Sequence, residues 1–343
     1  MNTTLESKLK GKNNFLNFIR FIASLCVIVA HAQAIAGHGV YDPLYILTDG
    51  RYNIGAFSVA IFFISSGLLV TKSLETKKNS RLYLRTRIQR IFPPLIISVI
   101  LTIIILGIFF SDKKTISFFL DYRTYLYLLN CILIPYHFLP GVFKNNYYGS
   151  VINGSLWTLP IEFICYVGLL IAFKLNLLRK KIVNILWIFA IVIFVLINYG
   201  NVNALNNIRF YVYPLYMFFV GIVFYCNRNE IQICKKSVLL GTVFFVTMIF
   251  IGLVDLAMIV FFPYVFIGII YMVDKFPESL GNCGNYSYEI YLVAFPIQQS
   301  LVYLFNGEML TSLNIIISIP ISIVMGICLK IITDKIMCRL ERR

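Results

Sequence analysis

Long apolar runs alternate with short polar clusters along this chain, and the runs have the length of bilayer crossings. A helix needs about 20 apolar residues to traverse the hydrocarbon core. Ten segments qualify, at 15–35, 54–71, 91–110, 155–173, 182–198, 208–225, 237–252, 256–273, 287–305 and 313–332. An eleventh run, 124–138, is short and ends in the Pro-flanked turn IPYHFLPG. The pattern predicts an all-α polytopic membrane protein, a bundle of about ten transmembrane helices forming one domain over 1–343. No Pro/Ser-rich linker, fixed-period repeat or soluble appendage interrupts it.

The basic residues orient these helices. With the N-terminus inside and 124–138 not crossing, 23 Lys and Arg fall on the inner side. Only 6 fall outside, namely Arg51, Lys113, Lys114, Arg123, Lys144 and Arg209, while Arg20 sits within the first span. A crossing at 124–138 would reverse everything after it and erase the bias. Both termini are therefore expected on the cytoplasmic side. The outer loop 111–154 is expected to hold a short re-entrant or interfacial segment. At 59% hydrophobic and 13% charged, the 343 residues are too apolar for a soluble domain. The net charge of +15 then reads as attraction to an anionic inner leaflet, not to nucleic acid. The eight cysteines lie mostly in apolar runs or beside basic loops, with no CxxC and no metal spacing, and read as packing residues. Lys8, Lys10 and Lys12 ahead of an apolar run, with small residues at AHAQA, imitate a secretion signal. Arg20 interrupts that run and the rest of the chain is membranous, so it is expected to be an uncleaved first span.

A charged side chain at bilayer depth costs about 3 kcal/mol or more, so those inside spans usually face the bundle interior. Arg20 and His31 are eleven residues apart in the first span, three turns on nearly one face and about 16 Å of rise. Snorkelling for Arg20 and a hydrogen-bonded core imidazole for His31 remain open alternatives. Glu162 lies in NGSLWTLPIEF, where Ser155 can cap the helix start and put the carboxylate about 10 Å down it. Beside an imidazole it would fix the tautomer and stabilise the imidazolium during proton abstraction; alternatively it satisfies Trp157 or Tyr166. Arg81, Arg85, Arg87 and Arg90 precede Pro93 and Pro94 at the inner mouth of the third span. They suit either a topology anchor or a phosphate receptor, whose distance from the His31 level is about the reach of a pantetheine arm. Ser65, Ser66 and Gly67 allow close helix packing or a narrow channel wall. Glu289 falls at a helix start favourable to a carboxylate, and Gln298 and Gln299 farther along are expected to line a cavity and meet acceptor hydroxyls. His38 and His137 read as loop or interface residues, because Gly37 and Gly39 end the first helix and His137 belongs to the Pro-flanked turn.

Arg20 and His31 as R-x10-H, FFISSGLLV, the RxxR of Arg87 and Arg90 before IFPPL, NGSLWTLPIEF and YSYEIYLVAFPIQQ resemble, in order, the acyltransferase 3 family of integral membrane acyltransferases. That family includes O-antigen acetylases, nodulation-factor acetylases and the membrane domain of peptidoglycan O-acetyltransferases. The resemblance runs from about residue 14 to 333. It implies transfer of an acyl group, usually acetyl from cytoplasmic acetyl-CoA, to a sugar hydroxyl of a cell-envelope polysaccharide or lipid-linked oligosaccharide, with no permanently bound cofactor and no metal. His31 and Glu162 take the catalytic positions; Arg20, Arg87 and Arg90, with Arg85 alongside, take the acyl-CoA positions. Ser65, Ser66, Gly67, Trp157, Tyr291, Gln298 and Gln299 are the expected channel or acceptor-lining residues. Ala294 stands in YLVAFP where many members carry a histidine, which points to a different acceptor subgroup. An extracellular esterase-like domain that some members carry is absent from the 343 residues. The rival from another class is a transporter or flippase for an envelope glycan precursor, which expects paired inverted halves.

Overall fold

The computed structural model describes residues 3–11, 13–37, 42–199 and 206–341; His38, Gly39 and Lys12 lie outside them. Among the described residues, ten principal helices lie on the ten apolar runs: α1 Asn14–Ile35, α2 Ile54–Lys77, α3 Ser80–Phe109, α4 Thr158–Lys174, α5 Lys180–Tyr199, α6 Asn206–Cys226, α7 Lys235–Phe250, α8 Val254–Met272, α9 Ser287–Leu304 and α10 Thr311–Glu341. Six of them (α1, α2, α3, α5, α8 and α10) are long and apolar enough to cross a bilayer. The shortest, α4 and α7, have 17 and 16 residues.

The helix ends follow from local chemistry. Asn13 Oδ1 accepts the Leu16 amide at 2.8 Å, Asn53 Oδ1 that of Ala56 at 2.8 Å, and Asn79 Oδ1 that of Leu82 at 3.0 Å, each satisfying a donor that the first turn leaves bare. Helix α1 ends at Ile35 and Gly37 follows with φ +79°, the left-handed backbone that glycine accepts without a steric penalty. With 30 residues, α3 is about 45 Å long and exceeds the roughly 30 Å hydrocarbon core, so the Arg81–Arg90 stretch is a helical extension of a span.

The chain groups into two compact units. The first comprises Met1–Ala23, Leu44–Leu84 and Ile161–Gly284. In it, α2 and α6 touch backbone to backbone: a Cβ on Gly67 would overlap the Phe218 carbonyl, and one on Gly221 would overlap that of Ile64. This is the small-residue contact through which helices associate without a hydrophobic driving force. Trp187 Nε1 donates to Tyr216 Oη at 3.1 Å, and Tyr216 donates to the Ile259 carbonyl at 3.0 Å, in the widened turn Ala257–Phe261 of α8. The N-terminal segment is tied down by a two-residue strand pair, β1 (Thr3–Thr4) with β2 (Gln232–Ile233), and by ion pairs of Glu6 with Arg228 and Lys8 with Asp274.

The second unit comprises Ser24–Pro43, Arg85–Pro160 and Asn285–Arg343. Helices α9 and α10 form its centre, with Gly326 of α10 pressed on the Ile290 backbone. Ile35, Phe295, Val302 and Met309 make a buried cluster. The loop between α3 and α4 contains short helices Thr115–Phe119 and Tyr122–Leu126 and a tighter turn Tyr127–Ile132. The helical stretch 122–132 has about half the length a crossing needs. Phe118 is wholly buried over Gly107, while Leu120, Tyr122 and Ile132 are exposed.

Candidate functional site

In the second unit, three of the motifs converge on one aromatic ring. His31, on the last turns of α1, meets Phe295 edge-on with ring centroids 5.1 Å apart, and its Nδ1 is buried with no hydrogen-bond partner. Phe295 also lies against Tyr148 at 5.7 Å and against Gly154, where a Cβ would come within 2.8 Å of Cε2. Only a glycine lets the NGSLW loop approach the ring that holds the imidazole. The loop is pinned by Asn153, whose Nδ2 donates to the Leu292 carbonyl at 2.9 Å and whose Oδ1 accepts from Ser155 N at 3.0 Å and Ser155 Oγ at 2.6 Å. Tyr291 donates to the Ser155 carbonyl and lies 2.7 Å from Thr158 Oγ1, tying α9 to the start of α4; Trp157 beside it is half-buried. His137 joins the same loop through Nδ1 and the Asn153 carbonyl at 3.0 Å.

Two expectations are corrected here. Ser155 does not cap α4, because its hydroxyl donates to Asn153 and the helix begins at Thr158. Glu162 is therefore about 6 Å, not 10 Å, along the helix. Gln298 and Gln299 are completely buried; Gln298 joins α9 to α1 and α10, and Gln299 joins α9 to the outer loop. Gln298 Nε2 donates to the Ile28 carbonyl at 2.8 Å and to Asn314 Oδ1 at 3.0 Å. Gln299 Oε1 accepts from Asn146 at 2.8 Å, and its Nε2 donates to the Val151 carbonyl at 2.8 Å.

The RxxR turn belongs to the same unit. Arg87 and Arg90 are half-buried and Arg85 is exposed. Tyr288 donates to the Ile91 carbonyl at 3.0 Å, which sets the first turn of α9 beside Arg90. Pro93 and Pro94 follow within α3 and, lacking amide hydrogens, have no backbone donor to give to the helix.

In the first unit, Glu162 is half-buried and accepts a hydrogen bond from Tyr166, one helical turn on. Of the readings open for this carboxylate, its contact with Tyr166 is thus observed. Tyr166 is wholly buried; its Oη also lies 2.9 Å from Ser66 Oγ, and its carbonyl accepts from Tyr83 at 3.0 Å. Ser65 is buried and bonds back to the Ile61 carbonyl at 2.5 Å, while Gly67 makes the contact with α6. Packing, rather than a channel wall, is the observed role of Ser65 and Gly67. Arg20 extends over the Phe62 ring, 5.9 Å from its centroid. Arg20 and His31 share the unbroken helix α1, so the predicted rise of about 16 Å between them holds.

The motif reading missed Asn153, Phe295, Tyr148 and Lys330. Asn-Gly-Ser is a turn signal that could have flagged Asn153; the others are recognisable only through contacts between distant segments.

Over residues 13–334 the chain matches the family model of the acyltransferase domain, acyltransferase 3. It is 27% identical over 298 residues to an O-acetyl transferase of Shigella phage Sf6, covering 85% of this chain and 86% of that protein. It is 28% identical over 181 residues to Nodulation protein 10 of Rhizobium leguminosarum bv. viciae, covering 49% of this chain and 46% of that protein. No solved structure matches it. A family match over nearly the whole chain makes the protein a member of the acyltransferase 3 family and an acyltransferase of the membrane.

Proposed function

We propose that this protein O-acetylates a sugar hydroxyl of a cell-surface polysaccharide, such as O-antigen or capsule, or of its lipid-linked precursor, using cytoplasmic acetyl-CoA. It does so as one domain of ten spans in a bacterial inner membrane, with both termini cytoplasmic. The observation that carries the reading is His31: a half-buried imidazole whose Nδ1 has no partner, beside a pinned loop. A buried polar atom without a partner costs about 1–3 kcal/mol, a penalty that a bound substrate relieves.

In the transfer, the acceptor oxygen attacks the thioester carbonyl carbon as His31 takes the hydroxyl proton. The C–S bond then breaks, the acyl group remains on the sugar oxygen, and the CoA thiolate leaves and is protonated. Glu162 is the second catalytic group we assign, oriented by Tyr166 and Ser66. Arg87 and Arg90, with Arg85 at the entrance, receive the donor's phosphates; Arg20 is the cation on the helix of His31 itself. Trp157 and Tyr291, on the loop and helix that meet near Phe295, border the acceptor.

Mass spectrometry of surface glycans tests the proposal. Cells producing the wild-type protein should carry acetylated glycan, and cells producing folded, membrane-inserted His31→Ala should not. Normal acetylation by His31→Ala overturns the mechanism. Precursor flux without covalent change would replace it with transport.

A further inference from the structure

Glu289 is a carboxylate almost fully withdrawn from solvent, 3% exposed, in the first turn of α9. One oxygen, Oε1, lies 3.8 Å from Lys330 Nζ, longer than a hydrogen bond; the other, Oε2, is buried with no partner. The charges facing it come from two neighbouring helices. Lys330 and Asp334 stand on α10, paired to each other at 3.0 Å, and Arg90 stands on α3, next to the Ile91 carbonyl that Tyr288 holds. Gly326 brings the α10 backbone against Ile290, so Lys330 reaches Glu289 across a close helix contact. A lysine serving only as a topology anchor extends its ammonium into water. Lys330 is instead held between Asp334, at 3.0 Å, and the buried Glu289, at 3.8 Å, with a side chain only 32% exposed.

A carboxylate in this position is expensive unless both oxygens are matched. Lys330 supplies one loose match, and among the described residues none provides a donor to Oε2. The place of the cluster, at the RxxR turn, indicates which molecule brings it. A coenzyme A thioester carries phosphates for cations and, along the same arm, amide N–H and hydroxyl groups that can donate.

We propose that Lys330 and Glu289 form a paired subsite of the acyl-donor site, in which Lys330 joins Arg90 on the donor's phosphates and Glu289 Oε2 accepts from a neighbouring N–H or O–H of the donor. This rests on the acyl-CoA reading given above.

Two probes separate the halves: coenzyme A, which has both the phosphates and the donors of its arm, and inorganic pyrophosphate, which has phosphates but none of the arm's amide N–H or alcohol groups. Binding of each to the purified full-length protein in detergent is measured by calorimetry. Lys330→Ala should weaken both by about tenfold, with Lys330→Arg restoring most of the loss. Glu289→Ala should weaken coenzyme A by about tenfold without weakening pyrophosphate, and Glu289→Gln, which keeps an acceptor oxygen, should retain most coenzyme A binding. Unchanged binding of both probes by Lys330→Ala overturns the subsite, as does equal weakening of both by Glu289→Ala, the mark of a purely structural role. If Arg90→Ala weakens coenzyme A while both Lys330 and Glu289 variants bind normally, only this inference fails. If the wild-type protein does not bind coenzyme A, the acyl-CoA reading fails with it.

Discussion

Glu162 and Glu289 are both carboxylates set in apolar helices, and they are treated in opposite ways. Glu162 accepts from Tyr166, whose phenol is in turn met by Ser66 and whose carbonyl is met by Tyr83, so the group is oriented before any substrate arrives. Glu289 has a distant lysine on one oxygen and nothing on the other. A carboxylate on a closed hydrogen-bonded chain suits a fixed chemical task, because orientation in advance removes reorganisation from the reaction itself. One with a bare oxygen suits recognition, because the missing bond is supplied by what binds.

The strongest way to break this comparison is to remove the charge of Glu162 while keeping its shape. Glu162→Gln should reduce glycan acetylation by about a hundredfold or more, the scale of a lost acid–base or charge-stabilising group. Normal levels of the variant in the membrane would exclude misfolding as the cause. Next comes the orienting phenol. Tyr166→Phe leaves the carboxylate but removes the donor that holds it, and should slow acetylation about tenfold, through turnover more than through the apparent affinity for donor. A loss in donor affinity alone would place Tyr166 with recognition and dissolve the contrast with Glu289.

Much of this arrangement is legible in the chain, and the reasons for the rest are physical. Run length located ten principal helices among the described residues, six of them long and apolar enough to cross a bilayer. Tyr166 was within reach too, because residues four apart share a helix face. Ser155 misled because a good capping residue has rivals: Asn153, two positions earlier, takes its hydroxyl and the helix starts three residues later. Gln298 and Gln299 misled because aversion to lipid does not distinguish a cavity from a packed interface; Asn146 and Asn314 decide that, and their pairing is a matter of tertiary structure. Glu289 read as a carboxylate favoured by a helix start. Neither its burial nor Lys330, on the next helix, can be inferred from spacing along one helix.

The glutamines supply a control on the same helix as Glu289. Gln299→Leu leaves the buried Asn146 amide and the Val151 carbonyl without this partner, and should lower stability by about 1–3 kcal/mol. Thermal unfolding in detergent would read that loss, while coenzyme A affinity of the folded fraction stays at the wild-type value. A matched loss in affinity would make burial on α9, not the bare oxygen of Glu289, the source of binding.

Asp121, in the outer loop, extends the comparison to a carboxylate with too many partners rather than too few, and the expected effect is the smallest. It accepts from Lys113 at 2.6 Å and from Arg123 through Nε and Nη2, with the Arg123 amide at 3.0 Å. The Arg123 hydrogen bonds, followed by that of Lys113, hold its carboxyl well below the usual carboxylate range. A depressed pKa means that the contribution of the pair is fully present above the unfolded-state value, near 4, and disappears only as pH falls through the folded value. Hydrogen exchange in 113–124, corrected for intrinsic rates, should therefore be nearly the same at pH 7 and pH 5. Asp121→Asn should raise it at both while leaving acetylation within about twofold of wild type, because ion pairs whose cations are partly exposed contribute little. Loosening of the wild-type loop between pH 7 and pH 5 would mean that Asp121 titrates above the ordinary carboxylate range, the opposite of what two bound cations impose.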